Sequence, residues 1–150
     1  ILHQGLPAVG ASAGAIALRS NDGASLEMLQ VLGYPEELIA PWQHVPLSSA
    51  TPFAEVVRTG QPVLLESRAE GVLRYPALAA GEAVFGNGAI AAFPLVVRDE
   101  VIGGLGFSFA QPRVFSEEEL AFATSLVQQC AQALERARLY AAEQRARAEA

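Results

Sequence analysis

The sequence predicts an α+β domain in which antiparallel hairpins come first and one long helix comes last. Three observations predict it. Asn21-Asp22-Gly23 joins two apolar runs, the strongest short hairpin signal a sequence carries. A second and longer pair of runs, "AIAAFPLVVRDEVIGGLGFSF", turns at Arg98-Asp99-Glu100. From Ser116 a capped helix begins, and its apolar rhythm persists to Ala141.

Bulk properties bound what such a domain can do. A chain of 150 residues, 51% hydrophobic and 17% charged, makes one globular domain and is not a disordered segment. No apolar run approaches the roughly 18–20 residues that cross a bilayer, so no membrane contact is expected of it. The opening "ILHQGLPAVG" has no basic stretch ahead of an apolar core and does not read as a signal peptide. Starting without Met, the chain reads as a piece of a longer protein. Its single cysteine, Cys130, leaves no internal disulfide or Cys-rich metal site and fits a reducing cytoplasm. Net charge is −6, all ten basic residues are Arg, and the C-terminal ones alternate with Glu. That is a solvated helix face, and nucleic acid is not an expected partner.

The first motif is "GASAG", Gly10 to Gly14, which matches the G-x-S-x-G of a nucleophilic serine on a strand-to-helix elbow. Here a strand follows Ser12, and "QGLPA" before it, with Gly5 and Pro7, is a poor strand. His44 would complete the order Ser…Asp…His through Asp22, but a hydrolase sheet of that kind needs far more chain. Ser12 reads as a small-residue entry into the first strand, and no catalytic residue is expected.

Thr51-Pro52 gives an N-cap with Pro at the first helical position, Val56 and Val57 give that short helix an apolar side, and Gly60 is placed to end it. Gln61-Pro62 launches a strand from Val63 to Glu66. Residues 69–88 are rich in Gly and Ala and read as a weak helix within a long loop, the kind of segment that closes over a pocket. Pro94 argues against a central strand unless it lies at a bulge. Gly103, Gly104 and Gly106 lack the Lys-Ser/Thr of a phosphate loop and read as strand glycines that admit a close neighbour.

Ser116 and Glu119 form a capping box, Phe115 and Leu120 a hydrophobic staple, and three Glu in the first turn suit the helix dipole. Beyond them Leu120, Ala123, Val127, Cys130, Leu134, Ala137 and Ala141 alternate three and four apart, the rhythm of a coiled-coil seam. A second stripe, Phe122, Leu126 and Ala133, exists only in the first half. The helix is expected to lie on a sheet, meet a partner helix along the seam, and leave the domain, with Glu143 and Arg147 paired on the exit.

Three phrases carry a resemblance: "TPFAEVVRTGQPVLL", "AAFPLVVRDEVIGGLGFSF" and "FSEEELAFATSLVQQCAQALERARLY". In this order they resemble a bacterial GAF domain, of the kind that adjoins histidine kinase or phosphatase modules. The likeness runs from about Leu6 to Tyr140 and is weakest over 67–88. It implies a central antiparallel sheet of about six strands, with terminal helices on one face and short helices and loops over a small-molecule pocket on the other. It implies a non-enzymatic sensory module of two-component signalling, cytoplasmic, homodimeric through its C-terminal helix and coupled to an output domain in the same chain. Residues 1–137 would be the sensor domain and 138–150 the helix extension toward that output. The sequence departs from the pattern at its start, where the first helix is reduced to "ILHQG" at most and half of the dimer bundle is missing.

The family's known chemistries fit poorly. The cyclic-nucleotide signature resembles Asn-Lys…Phe…Asp, and this chain has no Lys. Bilin attachment needs a pocket cysteine, whereas Cys130 falls on the helix seam, and a methionine-sulfoxide cycle needs several thiols. His44, beside Trp42, is a lone loop histidine and a poor heme ligand. Glu36, Glu37 and Glu55 have no metal-ligand spacing. No cofactor is predicted, and the expected ligand is an unidentified small molecule. Its pocket would be lined by Trp42, Phe53, Tyr75, Leu78 and Phe85, with Arg58 and Arg74 as polar anchors. The alternative is that these aromatics fill the space themselves, leaving a ligand-free dimerisation module.

Overall fold

The Asx-Gly corner closes a hairpin. In the computed structural model, which describes residues 2–149, β1 (Ala13–Arg19) and β2 (Ser25–Leu32) pair antiparallel across it. Gly23 takes the left-handed conformation (φ 74°), and the Asp22 carboxylate accepts from the Ala24 amide at 2.9 Å and the Ser20 hydroxyl at 2.6 Å. The second hairpin joins β5 (Ile90–Val97) to β6 (Glu100–Ser108). Its corner is the two residues Arg98 and Asp99, both at positive φ (53° and 65°), so Glu100 already belongs to the strand.

With β3 (His44–Pro46) and β4 (Val63–Leu65), these strands form one six-stranded antiparallel sheet ordered β3-β2-β1-β6-β5-β4. Pro94 pairs with Gly104 of β6, beyond the reach of β4, which pairs only with Ile90–Ala92. A register shift follows it at Leu95/Val96, the irregularity that a proline in this strand requires.

Both faces of the sheet are buried. Ala91, Phe93 and Leu95 of β5 turn to one face, where they pack with α1 (Leu2–Val9) and the long α6 (Glu117–Glu149). Ile90 and Ala92 turn to the other, under α3 (Pro52–Thr59). Thr51 caps α3 by accepting from the Ala54 amide at 3.2 Å, and Gly60 ends it at φ 71°. The close approach expected of the β6 glycines is made by this helix. A Cβ on Gly104 would stand 3.0 Å from the Phe53 ring, and one on Gly106 would stand 3.1 Å from it.

Three expectations need correction. The first helix is not limited to "ILHQG"; it reaches Val9 despite Gly5 and Pro7, because Leu2 and Leu6, one turn apart, bury on Gly14 of β1. Residues 68–85 are not a weak helix in a loop. They form α4 (Arg68–Arg74), a 3-10 segment (Pro76–Gly81) and α5 (Glu82–Phe85), and Ser67 caps α4 by accepting from Glu70 N–H at 3.2 Å. The third concerns α6. Ser116 accepts from the Glu119 amide at 3.0 Å, and the Glu119 carboxylate reaches back to the Ser116 hydroxyl at 3.2 Å, not to its amide, while also binding Arg113.

The seam is also reassigned. Ala123, Val127 and Cys130 are buried in the domain's own core with β5 and β6, and Leu134 is half-buried against them. Ala137 and Ala141 are exposed. Over a few turns a sheet-facing stripe and a coiled-coil seam have the same spacing, since 3.5 and 3.6 residues per turn drift apart by only about 20° per heptad. Of the second stripe, Leu126 packs on Gly5 of α1, Ala133 is half-buried, and Phe122 is 52% exposed.

Candidate functional site

On the face opposite α6 the sheet floors a partly open cavity of about 70 Å³. Its floor is Ala15 of β1, Ile90 to Ala92 of β5 and Gly106 to Ser108 of β6. Small residues predominate there, which is what leaves space between the sheet and its cover. Pro52 and Phe53 of α3 form one wall, and α2 (Glu36–Ile39) with the 3-10 turn at Ala40–Trp42 forms another through Leu38, Ile39 and Trp42. Ala77, Leu78, Gly81 and Phe85 close the third.

One charged side chain lines this apolar space. Arg68, the first residue of α4, is only 4% exposed. Its Nη1 donates to the Leu78 carbonyl at 2.9 Å, its guanidinium lies 5.5 Å from the Phe85 ring centroid, and its Nε is buried with no hydrogen-bond partner. No carboxylate among the described residues forms an ion pair with it. Burial pulls its pKa below the ordinary arginine value, against the opposing influence of Tyr34 and Glu82. Across the floor, the Tyr34 hydroxyl and Ser108 Oγ lie 2.7 Å apart, and burial pushes the Tyr34 phenol upward.

A second cavity of about 90 Å³ lies on the other face, between α1, the sheet and the first turns of α6. Its arginine is already committed. Arg113 donates to the Val9 carbonyl at 3.0 Å, pairs with Glu119, and lies 4.7 Å and 5.5 Å from the Phe109 and Phe115 ring centroids. The described residues contain no cluster of His, Cys, Asp and Glu that would hold a metal ion, and none of their helices is long and apolar enough to cross a membrane.

The family model described as "GAF domain" matches residues 1–135. The chain belongs to the GAF family. Three solved structures share its fold. One is a GAF domain of an Acinetobacter phosphoenolpyruvate-protein phosphotransferase, with a TM-score of 0.71, 19% identity, and coverage of 93% of this chain and 80% of that one. The second is a domain of a putative two-component sensor histidine kinase from Sinorhizobium meliloti, at 0.72 and 19%, covering 95% and 92%. The third is the second GAF domain of DevS from Mycobacterium smegmatis, at 0.67 and 22%, covering 95% and 91%. Nothing among curated protein sequences matches the chain. GAF domains are generally non-catalytic sensory or regulatory modules, and these neighbours come from bacterial signalling and regulatory proteins.

In this GAF domain the cavity collects four of the seven expected pocket residues: Trp42, Phe53, Leu78 and Phe85. The other three lie elsewhere. Tyr75 is 2% exposed in the core beside the cavity, its hydroxyl without a partner and pushed up to about 12, chiefly by burial. Arg58 is exposed and donates to the carbonyls of Leu47 and Ser49. Arg74 is exposed and bound to Glu55 at 2.5 Å. The arginine that lines the cavity is Arg68, which sequence reading missed. Its signal was "SRAE", a Ser-x-x-Glu cap that starts a helix at Arg68 and turns its side chain inward beside the cap. Ser12 is exposed at the entry to β1, and His44 lies two strands away on β3, 3.8 Å from Glu27, so the opening motif assembles no nucleophile and base.

Proposed function

We propose that this GAF domain is a non-catalytic sensor whose cavity takes a small molecule and whose α6 carries the response toward an output module of the parent protein. The observation that carries the reading is the buried, incompletely bonded Arg68 guanidinium facing an otherwise apolar cavity. A charge in that position with unused donors is expensive unless something completes it. The floor strand supports the coupling: Ala92 lines the cavity, and its neighbour Ala91 packs in the core that holds α6. Native mass spectrometry of the domain from its own host, beside a denatured control, tests it. A small mass retained natively and lost on denaturation supports the reading. A clean apo mass, with no stabilisation by any small-molecule library member, refutes it.

A second reading, a dimerisation module, is favoured by the far half of α6. From Arg136 to Glu149 every residue is exposed, Leu139 and Tyr140 among them (47% and 65%). A helical extension without tertiary contacts is marginal in water. A second copy packing along Ala137, Tyr140 and Ala141, which share one face, would cover that face. A charge at Leu134 would disturb the domain's own core as well, so the informative variant is Tyr140→Asp, which should lower self-association in sedimentation. An unchanged sedimentation profile removes this surface as the interface.

A further inference from the structure

We infer that the cavity binds a short-chain monocarboxylate, with its carboxylate on Nη2 of Arg68. The inference rests on the sensor reading and narrows it to a ligand class. Of the three guanidinium nitrogens, Nη1 is taken by Leu78 O, Nε is buried and unpartnered, and Nη2 makes no hydrogen bond with any described residue. Nε has no surface facing the cavity, so Nη2 is the donor left for a bound anion, through one charge-assisted hydrogen bond. The backbone is shaped to hold the group there. A Cβ on Gly81 would stand 2.5 Å from Nη1 and 2.8 Å from Cζ.

The rest of the lining selects the ligand's body. Tyr34 and Ser108 share one hydrogen bond, which leaves one of their two hydroxyl hydrogens free to donate to the bound anion. Ile39, Phe53 and Phe85 offer only apolar surface. An inorganic oxyanion would leave its outer oxygens unbonded against these side chains, whereas an alkyl tail would be buried by them. At about 70 Å³ the space is roughly half of the ~150 Å³ apolar cavity that admits six-carbon benzene, which limits the tail to about three carbons.

The test is calorimetry on the 150-residue domain in chloride-free buffer with butyrate, its neutral isostere butyramide, and nitrate. The Arg68 Nε–H resonance is followed by NMR in the same titrations. Butyrate is expected to bind at least tenfold more tightly than butyramide or nitrate and to shift that resonance. Arg68→Met, which removes the charge and the donor, should abolish the preference. Equal binding of butyramide overturns the anion inference and leaves the sensor reading standing, because the cavity would still hold a ligand. Equal binding of nitrate overturns the carboxylate class. No binding of butyrate overturns the inference, while the native mass measurement judges the sensor reading separately.

Discussion

Arg68→Met should leave the empty domain as stable as the parent or stabilise it, although it deletes a buried hydrogen-bonded side chain. The variant loses the Nη1 bond to Leu78 O, about 1.5–3 kcal/mol for a charged donor, and the Phe85 contact, about 0.5–1 kcal/mol. Against this loss of about 2–4 kcal/mol stands the desolvation of a cation that is 4% exposed and without a counter-charge, several kcal/mol per buried ion. Met keeps the unbranched stem and fills similar space. The two sums nearly cancel, and the expected change is between zero and about 1 kcal/mol of stabilisation. Urea unfolding followed by circular dichroism, on protein dialysed free of small anions, measures it, with equal m values as the check on two-state comparison. A loss of about 2 kcal/mol or more would refute the reasoning. The guanidinium would then be a clamp on the 68–81 segment that is worth more than its burial costs, and its unused donors would no longer call for a ligand.

Other substitutions probe the frame around the site. Thr51→Ala should cost about 1 kcal/mol in the same urea assay, since it removes the cap on the helix that walls the cavity. Gly103→Ala should cost about 3 kcal/mol or prevent folding, because the new Cβ would stand 2.1 Å from the Ala17 carbonyl oxygen in the neighbouring strand; a midpoint unchanged in urea would contradict the strand register. Acid should weaken the fold through Asp22 and Glu119. The Ser20 hydroxyl and the Ala24 amide hold Asp22 below its ordinary 3.8, and Arg113 holds Glu119 below 4.5. Both carboxyls ionise more easily folded than unfolded, so their contribution is complete above about pH 5, begins to fall near those ordinary values, and is lost as pH drops through the lower folded-state ones. Glu119→Gln should flatten part of that acid limb, and an identical pH profile in the variant would show that the Arg113 pair contributes nothing.

The elements set by local chemistry were legible, and those set by packing were not. Asn21-Asp22-Gly23, Thr51-Pro52 with Gly60, and Ser116 each carry a backbone requirement that few residues meet, and each is where the sequence puts it. The first helix was underread because Gly5 and Pro7 lower its propensity, and only burial of Leu2 and Leu6 on β1 restores it. Of the site, the large apolar members were legible by size. The arginines were not: Arg58, Arg68 and Arg74 look alike in sequence, and only the cap at Ser67 and the glycine at 81 turn one of them inward.

The small floor residues bear on how the two faces communicate. Ala91 and Phe107 border both cavities, the one that holds Arg68 and the one beneath Leu120, Phe122 and Ala123 of α6. At that point the domain is one strand thick. A ligand in the first cavity, as proposed above, would push on the same two residues that shape the second, and interiors near crystal density do not absorb such a push locally. The first turns of α6 are the element with room to answer. A partly exposed ion pair, Arg113 with Glu119, ties them down ahead of the buried Ala123 and Val127. A shift of α6 would therefore be read most directly at Phe122, which is half exposed and lies over that second cavity.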